Sequence, residues 1–120
     1  MRVFLVDDHH MFREAIRFWL EQESDISVVG KAASAEEALI EIERIKPDIV
    51  LLDISLPAMS GIELAQQLRN KWPDLSILVL SSYDFSGYVR SLAKVGIAGY
   101  VLKTAPIKEL VQAIREVASG

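Results

Sequence analysis

Five polar side chains stand directly after short apolar runs, and their chemical types could bind a cation and a phosphoryl group. They are the carboxylates of Asp7, Asp8 and Asp53, the hydroxyl of Ser81 and the ammonium of Lys103. Small hard cations such as Mg²⁺ take oxygen ligands from one or two carboxylates, water and phosphate. If the runs are neighbouring parallel strands, all five groups meet at one edge of the sheet, where ligands of open α/β sheets bind.

The apolar runs themselves predict strands that are buried on both faces. They are rich in Val, Ile and Leu and lack the alternation of apolar and polar residues, which is typical of a parallel sheet. These runs lie at 2–6, 26–30, 48–52, 76–80 and 99–102.

Amphipathic stretches between the runs predict helices. The first spans Met11 to Gln22, and its apolar stripe includes Trp19, which we expect to be a packing residue, as we do Trp72. Each later helix begins at a capping or helix-starting residue, namely Ser34, Ser60, Asp84 and Pro106. The helix after Asp84 is predicted to be the weakest, because Gly87 in its first turn costs about 1 kcal/mol relative to alanine. Regular alternation of strands and helices predicts a doubly wound α/β domain.

Composition narrows the class of protein further. The chain has 120 residues, enough for one domain, and 51% of them are hydrophobic. A net charge of −4 argues against binding of nucleic acid through this segment. The absence of cysteine excludes disulfides and thiolate metal sites and is compatible with a reducing cytoplasm. No apolar run is long enough to predict a membrane span.

Four segments carry a resemblance to response-regulator receiver domains of two-component signalling. They are Leu5-Val6-Asp7-Asp8, residues 50–61 with the pattern Asp-x-x-x-Pro-x-x-x-Gly, Val79-Leu80-Ser81-Ser82 and Gly99-Tyr100-Val101-Leu102-Lys103. The resemblance covers essentially the whole chain. It implies a flavodoxin-like receiver fold, with a five-stranded parallel sheet in the order 2-1-3-4-5 and helices on both faces.

The resemblance also implies a role for each site residue. Asp53 accepts a phosphoryl group from a histidine kinase, as a stoichiometric phosphoacceptor rather than an enzyme. Asp8, Asp53 and the backbone carbonyl of Ser55 bind Mg²⁺ or Mn²⁺ directly, whereas Asp7 does so mainly through water.

The remaining implied roles concern the bound phosphoryl group. Lys103 pairs with the phosphoryl oxygens, and Ser81 donates a hydrogen bond to them. Tyr100 corresponds to the aromatic residue that turns inward when the hydroxyl moves towards the phosphate.

Segments beside the site resemble the NarL/FixJ-like (LuxR-type) subfamily. His9 and Phe12-Arg13-Glu14 fit this subfamily, whereas His10 stands where its members often carry proline. From the residues alone we interpret His9 and His10 as loop residues that enter the first helix.

The subfamily resemblance implies a C-terminal helix-turn-helix DNA-binding domain that controls transcription. We therefore expect residues 1–120 to be a receiver domain excised from a longer regulator, with a natural single-domain regulator as the alternative. A homodimer on phosphorylation is compatible with the sequence, through either the last helix or the fourth helix and fifth strand. No membrane contact is expected.

Two other classes of function stay open. One is an interaction module that has lost phosphorylation, which the complete set of five site residues disfavours. The other is a phosphatase of the haloacid-dehalogenase type, which places Asp-x-Asp after its first strand, whereas Asp7 and Asp8 are adjacent here.

Overall fold

A five-stranded parallel sheet forms the centre of the computed structural model, which describes residues 1–54, 61–82 and 93–119. The strands are β1 (Arg2–Val6), β2 (Ser27–Ala32), β3 (Ile49–Asp53), β4 (Ser76–Ser81) and β5 (Gly99–Leu102). Their order is β2-β1-β3-β4-β5, and every neighbouring pair is parallel. The strand order that the resemblance implies is confirmed. The strand positions expected from the apolar runs are confirmed to within two residues.

The described helices are α1 (His10–Glu21), α2 (Ala35–Ile45), α3 (Gly61–Lys71) and the C-terminal helix (Ile107–Ala118). Ser34 caps α2 as predicted, because its hydroxyl accepts a hydrogen bond from the amide of Glu37 at 3.2 Å. The predicted cap at Ser60 and the predicted helix start at Asp84 lie outside the described residues. Residues 93–95, at the end of the fourth predicted helix, are helical.

Alternate residues of β1, β3 and β4 face two separate apolar layers. One layer lies under α2 and α3 and includes Phe4 and Val50, and the other lies under α1 and the C-terminal helix and includes Leu5 and Leu51. Every residue of β3 is buried. Burial of one such side chain contributes about 1.5–3 kcal/mol, so the middle strands form a rigid base for the residues at their ends.

The prediction for Trp19 is wrong. Its side chain is 51% exposed and makes an edge-to-face contact with Phe18. Helix α1 contacts the sheet through Phe12, Ile16 and Leu20, which repeat every four residues. Trp19 lies to the side of that stripe. Trp72, by contrast, packs against the apolar layer under α2 and α3 as expected.

Among the helices that the structure describes, none combines the length and the hydropathy that crossing a bilayer requires.

Candidate functional site

The register of the sheet places the predicted site residues side by side. Val6 pairs with Leu52, so that Asp7 and Asp53 come next on adjacent strands. Asp53 itself pairs with Leu80, the residue before Ser81. Ser81 in turn pairs with Leu102, the residue before Lys103. Because parallel strands keep their carboxyl ends together, four strands deliver their polar residues to one edge.

The Lys103 ammonium lies between two carboxylates. Its Nζ is 2.8 Å from Asp7 Oδ2 and 3.2 Å from Asp53 Oδ2, and the side chain is only 8% exposed. The ring centroid of Phe12 is 4.5 Å from the same nitrogen, a favourable cation–π geometry. The Lys103 amide donates to the carbonyl of Ser81 at 2.6 Å. The lysine is therefore positioned by both its main chain and its side chain.

Negative charge accumulates at this edge. Asp7 and Asp53 are buried, and Asp8 reaches solvent. Three carboxylates face one ammonium, so additional positive charge at this edge would reduce the repulsion among the carboxylates. Asp7 Oδ2 is fully buried and has no hydrogen-bond partner of regular geometry, although Lys103 is near it. The donor set fits a divalent cation that prefers oxygen ligands.

Hydrogen bonds from neighbouring elements hold the loop after β1. The Asp7 amide donates to the carbonyl of Ala32 at 3.0 Å, which extends the ladder between β1 and β2. The guanidinium of Arg13, in the first turn of α1, donates to the Asp7 carbonyl at 2.6 Å. This loop therefore keeps its carboxylates in place from both sides.

The end of β3 is held by a close approach of α3. The Ile54 amide donates to the carbonyl of Leu80 at 3.2 Å, and the Gly61 amide donates to the carbonyl of Ile54 at 2.9 Å. A Cβ atom on Gly61 would collide with Ile54 Cα and would lie 2.8 Å from the carbonyl oxygen of Asp53. Glycine at this position lets the first turn of α3 lie directly against the strand end.

His9 directly precedes α1, as the sequence interpretation expected, but its imidazole also reaches the site, which that interpretation missed. Its Nδ1 lies 3.0 Å from Asp7 Oδ1, 3.4 Å from Asp8 Oδ1 and 3.6 Å from Asp53 Oδ2. The same nitrogen is 3.3 Å from Lys103 Nζ. Its position directly after the acid pair was the available signal. His10 points elsewhere, with its Nδ1 3.2 Å from Arg13 Nη2.

The other predicted residues differ in their placement. Ser81 is fully buried at the end of β4. Tyr100 lies in β5 with 46% of its surface exposed, so its ring is not buried in the apolar layers. Ser55 lies outside the described residues.

Comparison with known families decides what kind of domain this is. The family described as the response regulator receiver domain matches residues 3–115. The chain belongs to this family.

Similar proteins place this receiver domain among the LuxR-type regulators. It is 35% identical over 120 residues to the transcriptional regulatory protein DegU of Brevibacillus brevis, covering 100% of this chain and 51% of DegU. The receiver domain spans about half the length of the curated relatives it matches.

Solved structures agree with this placement. The signal receiver domain of the putative response regulator NarL from Mycobacterium tuberculosis has a TM-score of 0.92 at 34% identity, covering 99% of this chain and 96% of that one. A two-component response regulator of the LuxR family from Aurantimonas sp. SI85-9A1 has a TM-score of 0.93 at 36% identity, covering 98% and 85%. The matched proteins are response regulators and indicate no enzyme family.

Proposed function

We propose that this receiver domain is a phosphorylation-controlled switch whose phosphoacceptor is Asp53, served by a histidine kinase and by Mg²⁺ or Mn²⁺. The observation that carries the proposal is the placement of Asp53 at the centre of the polar edge. Its carboxylate lies 3.2 Å from the Lys103 ammonium, at the end of β3, and the neighbouring strand β1 leads directly into Asp7. A nucleophile with a neighbouring cation and acidic metal ligands is the arrangement that phosphoryl transfer needs.

In the transfer, a carboxylate oxygen of Asp53 attacks the phosphorus of a phosphohistidine. The P–N bond breaks, and the imidazole of the kinase keeps the electron pair and takes a proton. The Lys103 ammonium neutralises charge on the phosphoryl oxygens, since it already lies beside the nucleophile.

The metal ligands in this proposal are Asp8, Asp53 and the carbonyl of Ser55, with Asp7 acting mainly through water. A divalent cation supplies charge neutralisation and helps to orient the phosphoryl group. The buried oxygen of Asp7 without a regular hydrogen bond is consistent with a water or cation partner.

Phosphorylation would change the conformation through two new contacts. The phosphoryl group adds about −1.5 to −2 charges and three strong acceptors. Charge-assisted hydrogen bonds from Ser81 and Lys103 contribute about 1.5–3 kcal/mol each. The two contacts together approach the ~5.5 kcal/mol that shifts a two-state equilibrium from almost entirely inactive to almost entirely active. The half-exposed ring of Tyr100 would then turn inward as Ser81 moves.

The output that we propose is control of transcription. DegU is called a transcriptional regulatory protein, and this chain covers only half of it. We infer that DNA binding belongs to a C-terminal helix-turn-helix domain beyond residue 120, and that phosphorylation favours a homodimer. The net charge of −4 supports the view that the receiver domain itself does not bind nucleic acid. We also infer a cytoplasmic location, where a histidine kinase would reach it.

Intact-mass spectrometry after incubation with acetyl phosphate and Mg²⁺ tests the proposal. The wild type should gain one phosphoryl group that hydroxylamine removes, and the gain should vanish when Mg²⁺ is removed. Asp53→Asn should gain none, whereas the control Asp74→Asn, at an exposed turn residue, should behave like the wild type.

A folded wild type that gains no phosphoryl group would overturn the proposal in favour of an interaction module that does not depend on phosphorylation. Turnover of a chromogenic phosphate ester would instead support a phosphatase.

A further inference from the structure

The imidazole of His9 lies within the group of carboxylates rather than beside it. We propose that His9 is a ligand of the cation site and that it enables the receiver domain to bind Zn²⁺ through Asp7, Asp8, His9 and Asp53. The inference rests on the cation site proposed above. It adds His9 as a ligand, takes Asp7 as a direct ligand when the ion is Zn²⁺, and adds a second metal.

The spacing of the four ligand atoms is suitable for one small ion. One ligand atom from each residue lies within 4.8 Å of all the others. In a tetrahedral zinc site with bonds of about 2.1 Å, neighbouring ligand atoms lie roughly 3.4 Å apart. The distances from His9 Nδ1 to the three carboxylates are 3.0, 3.4 and 3.6 Å. These three distances bracket the tetrahedral value, and the distances between the carboxylate ligand atoms are at most 4.8 Å.

The surroundings hold His9 where a ligand is needed and leave room for a metal to enter. Its amide donates to Asp7 Oδ1 at 2.8 Å, which fixes the main chain beside the carboxylate. The side chain is 59% exposed, so that the ring can adjust as an ion binds. Asp7 Oδ2 is buried without a regular hydrogen bond. An ion here would share this carboxylate with the Lys103 ammonium, which lies 2.8 Å from Oδ2, and would add positive charge where three carboxylates face one ammonium.

The chemistry of the ligands distinguishes two metals. Imidazole nitrogen suits Zn²⁺, whereas Mg²⁺ prefers oxygen ligands and retains water. His9 should therefore strengthen Zn²⁺ binding strongly and Mg²⁺ binding little. Because both ions use the same carboxylates, they should compete. Lys103 Nζ, 3.3 Å from His9 Nδ1, must release that nitrogen and can keep its contact with Asp7.

Isothermal titration calorimetry of the untagged protein with Zn²⁺ and with Mg²⁺ tests the inference. His9→Gln should weaken Zn²⁺ binding by roughly tenfold or more and Mg²⁺ binding by less than about threefold. His10→Gln is the matched control, since its ring faces Arg13, and it should change neither affinity by more than about twofold. Added Mg²⁺ should weaken the apparent binding of Zn²⁺ to the wild type.

Nitrogen NMR of the histidine rings gives a second readout, which reports the ligand atom directly rather than the affinity. On titration with Zn²⁺, Nδ1 of one histidine should shift, and that signal should be absent from His9→Gln and present in His10→Gln. An unchanged His9 signal, or equal Zn²⁺ affinities in wild type and His9→Gln, would overturn the inference. If phosphorylation of Asp53 with Mg²⁺ still succeeds, only the role of His9 has failed, and the proposed function stands.

Discussion

At the scale of single residues, the site depends on the compensation of buried charge. Lys103 is the positive group closest to two carboxylates that have almost no access to water. Removing one member of such a group leaves a charge that is neither solvated nor paired, which is costly. The residues that serve phosphoryl chemistry therefore also contribute to folding.

Lys103→Met should lower the free energy of unfolding in metal-free buffer by on the order of 2–4 kcal/mol, because Asp7 and Asp53 lose their shared counter-charge. Mg²⁺ should restore part of this loss, since a bound cation takes over the neutralisation. Urea unfolding with and without Mg²⁺ measures both effects. The control Lys108→Met changes an exposed lysine of the C-terminal helix and should stay within about 0.5 kcal/mol. A fully stable Lys103→Met would contradict the argument.

At the scale of secondary-structure elements, the position of the phosphoacceptor depends on how closely α3 approaches the end of β3. Gly61 begins that helix and has no room for a side chain. Gly99, at the start of β5, differs: a Cβ atom there would lie 3.4 Å from Leu78 Cδ1, an ordinary contact. Glycine is therefore required at position 61 by lack of space, whereas position 99 has room for a methyl group.

Gly61→Ala should destabilise the domain by about 1–3 kcal/mol, because the added methyl group must push α3 away from the strand end. It should also slow phosphorylation by acetyl phosphate, since Asp53 immediately precedes the displaced Ile54. Gly99→Ala should cost nothing or add up to about 0.5–1 kcal/mol of stability. Thermal unfolding and timed intact-mass spectrometry test both variants. Equal effects of the two substitutions on stability would show that the close approach of α3 to β3 is not the reason why position 61 requires glycine.

At the scale of the whole molecule, an ionic cluster joins the C-terminal helix to the segment before β2. Arg115 contacts Asp25 at 3.0 Å and Glu23 at 2.7 Å, about 90 residues away in sequence. The hydrogen bond from Arg115 lowers the pKa of Asp25 below its ordinary value of 3.8, and both acids raise the pKa of Arg115. A lowered carboxyl pKa means that folding favours the ionised form of Asp25. The pair therefore stabilises the protein fully above the ordinary pKa of 3.8, and this stabilisation is lost as the pH falls through the lowered pKa of the folded state.

Arg115→Gln should therefore be less stable than the wild type near neutral pH, with the difference shrinking as the pH falls below about 3.8 and the acids become protonated. Urea unfolding at pH 6.5 and at pH 3 measures the two differences. Asp25→Asn removes the same contact from the other side and should show the same dependence. A constant difference between Arg115→Gln and wild type at the two pH values would mean that lost packing, not charge, accounts for the change.

The fold was predictable because its signals are local. Runs of Val, Ile and Leu predict buried parallel strands wherever they pack, and the capping pattern at Ser34 was confirmed. The convergence of Asp7, Asp53 and Lys103 followed from the same runs, since residues after parallel strands share one edge.

The residues by themselves thus determined the strands, the helices and the edge that carries the polar groups. The order of the strands across the sheet was implied by the resemblance to receiver domains. Only the tertiary structure decided where His9 points and which face of α1 stays exposed. The direction of a side chain in a short loop depends on contacts from other elements, here those of the His9 ring with Asp53 and Lys103. The exposure of Trp19 depends on how α1 is rotated against the sheet. Neither the direction of His9 nor the exposure of Trp19 leaves a periodic pattern in the chain, because both are set by how separate elements pack against one another.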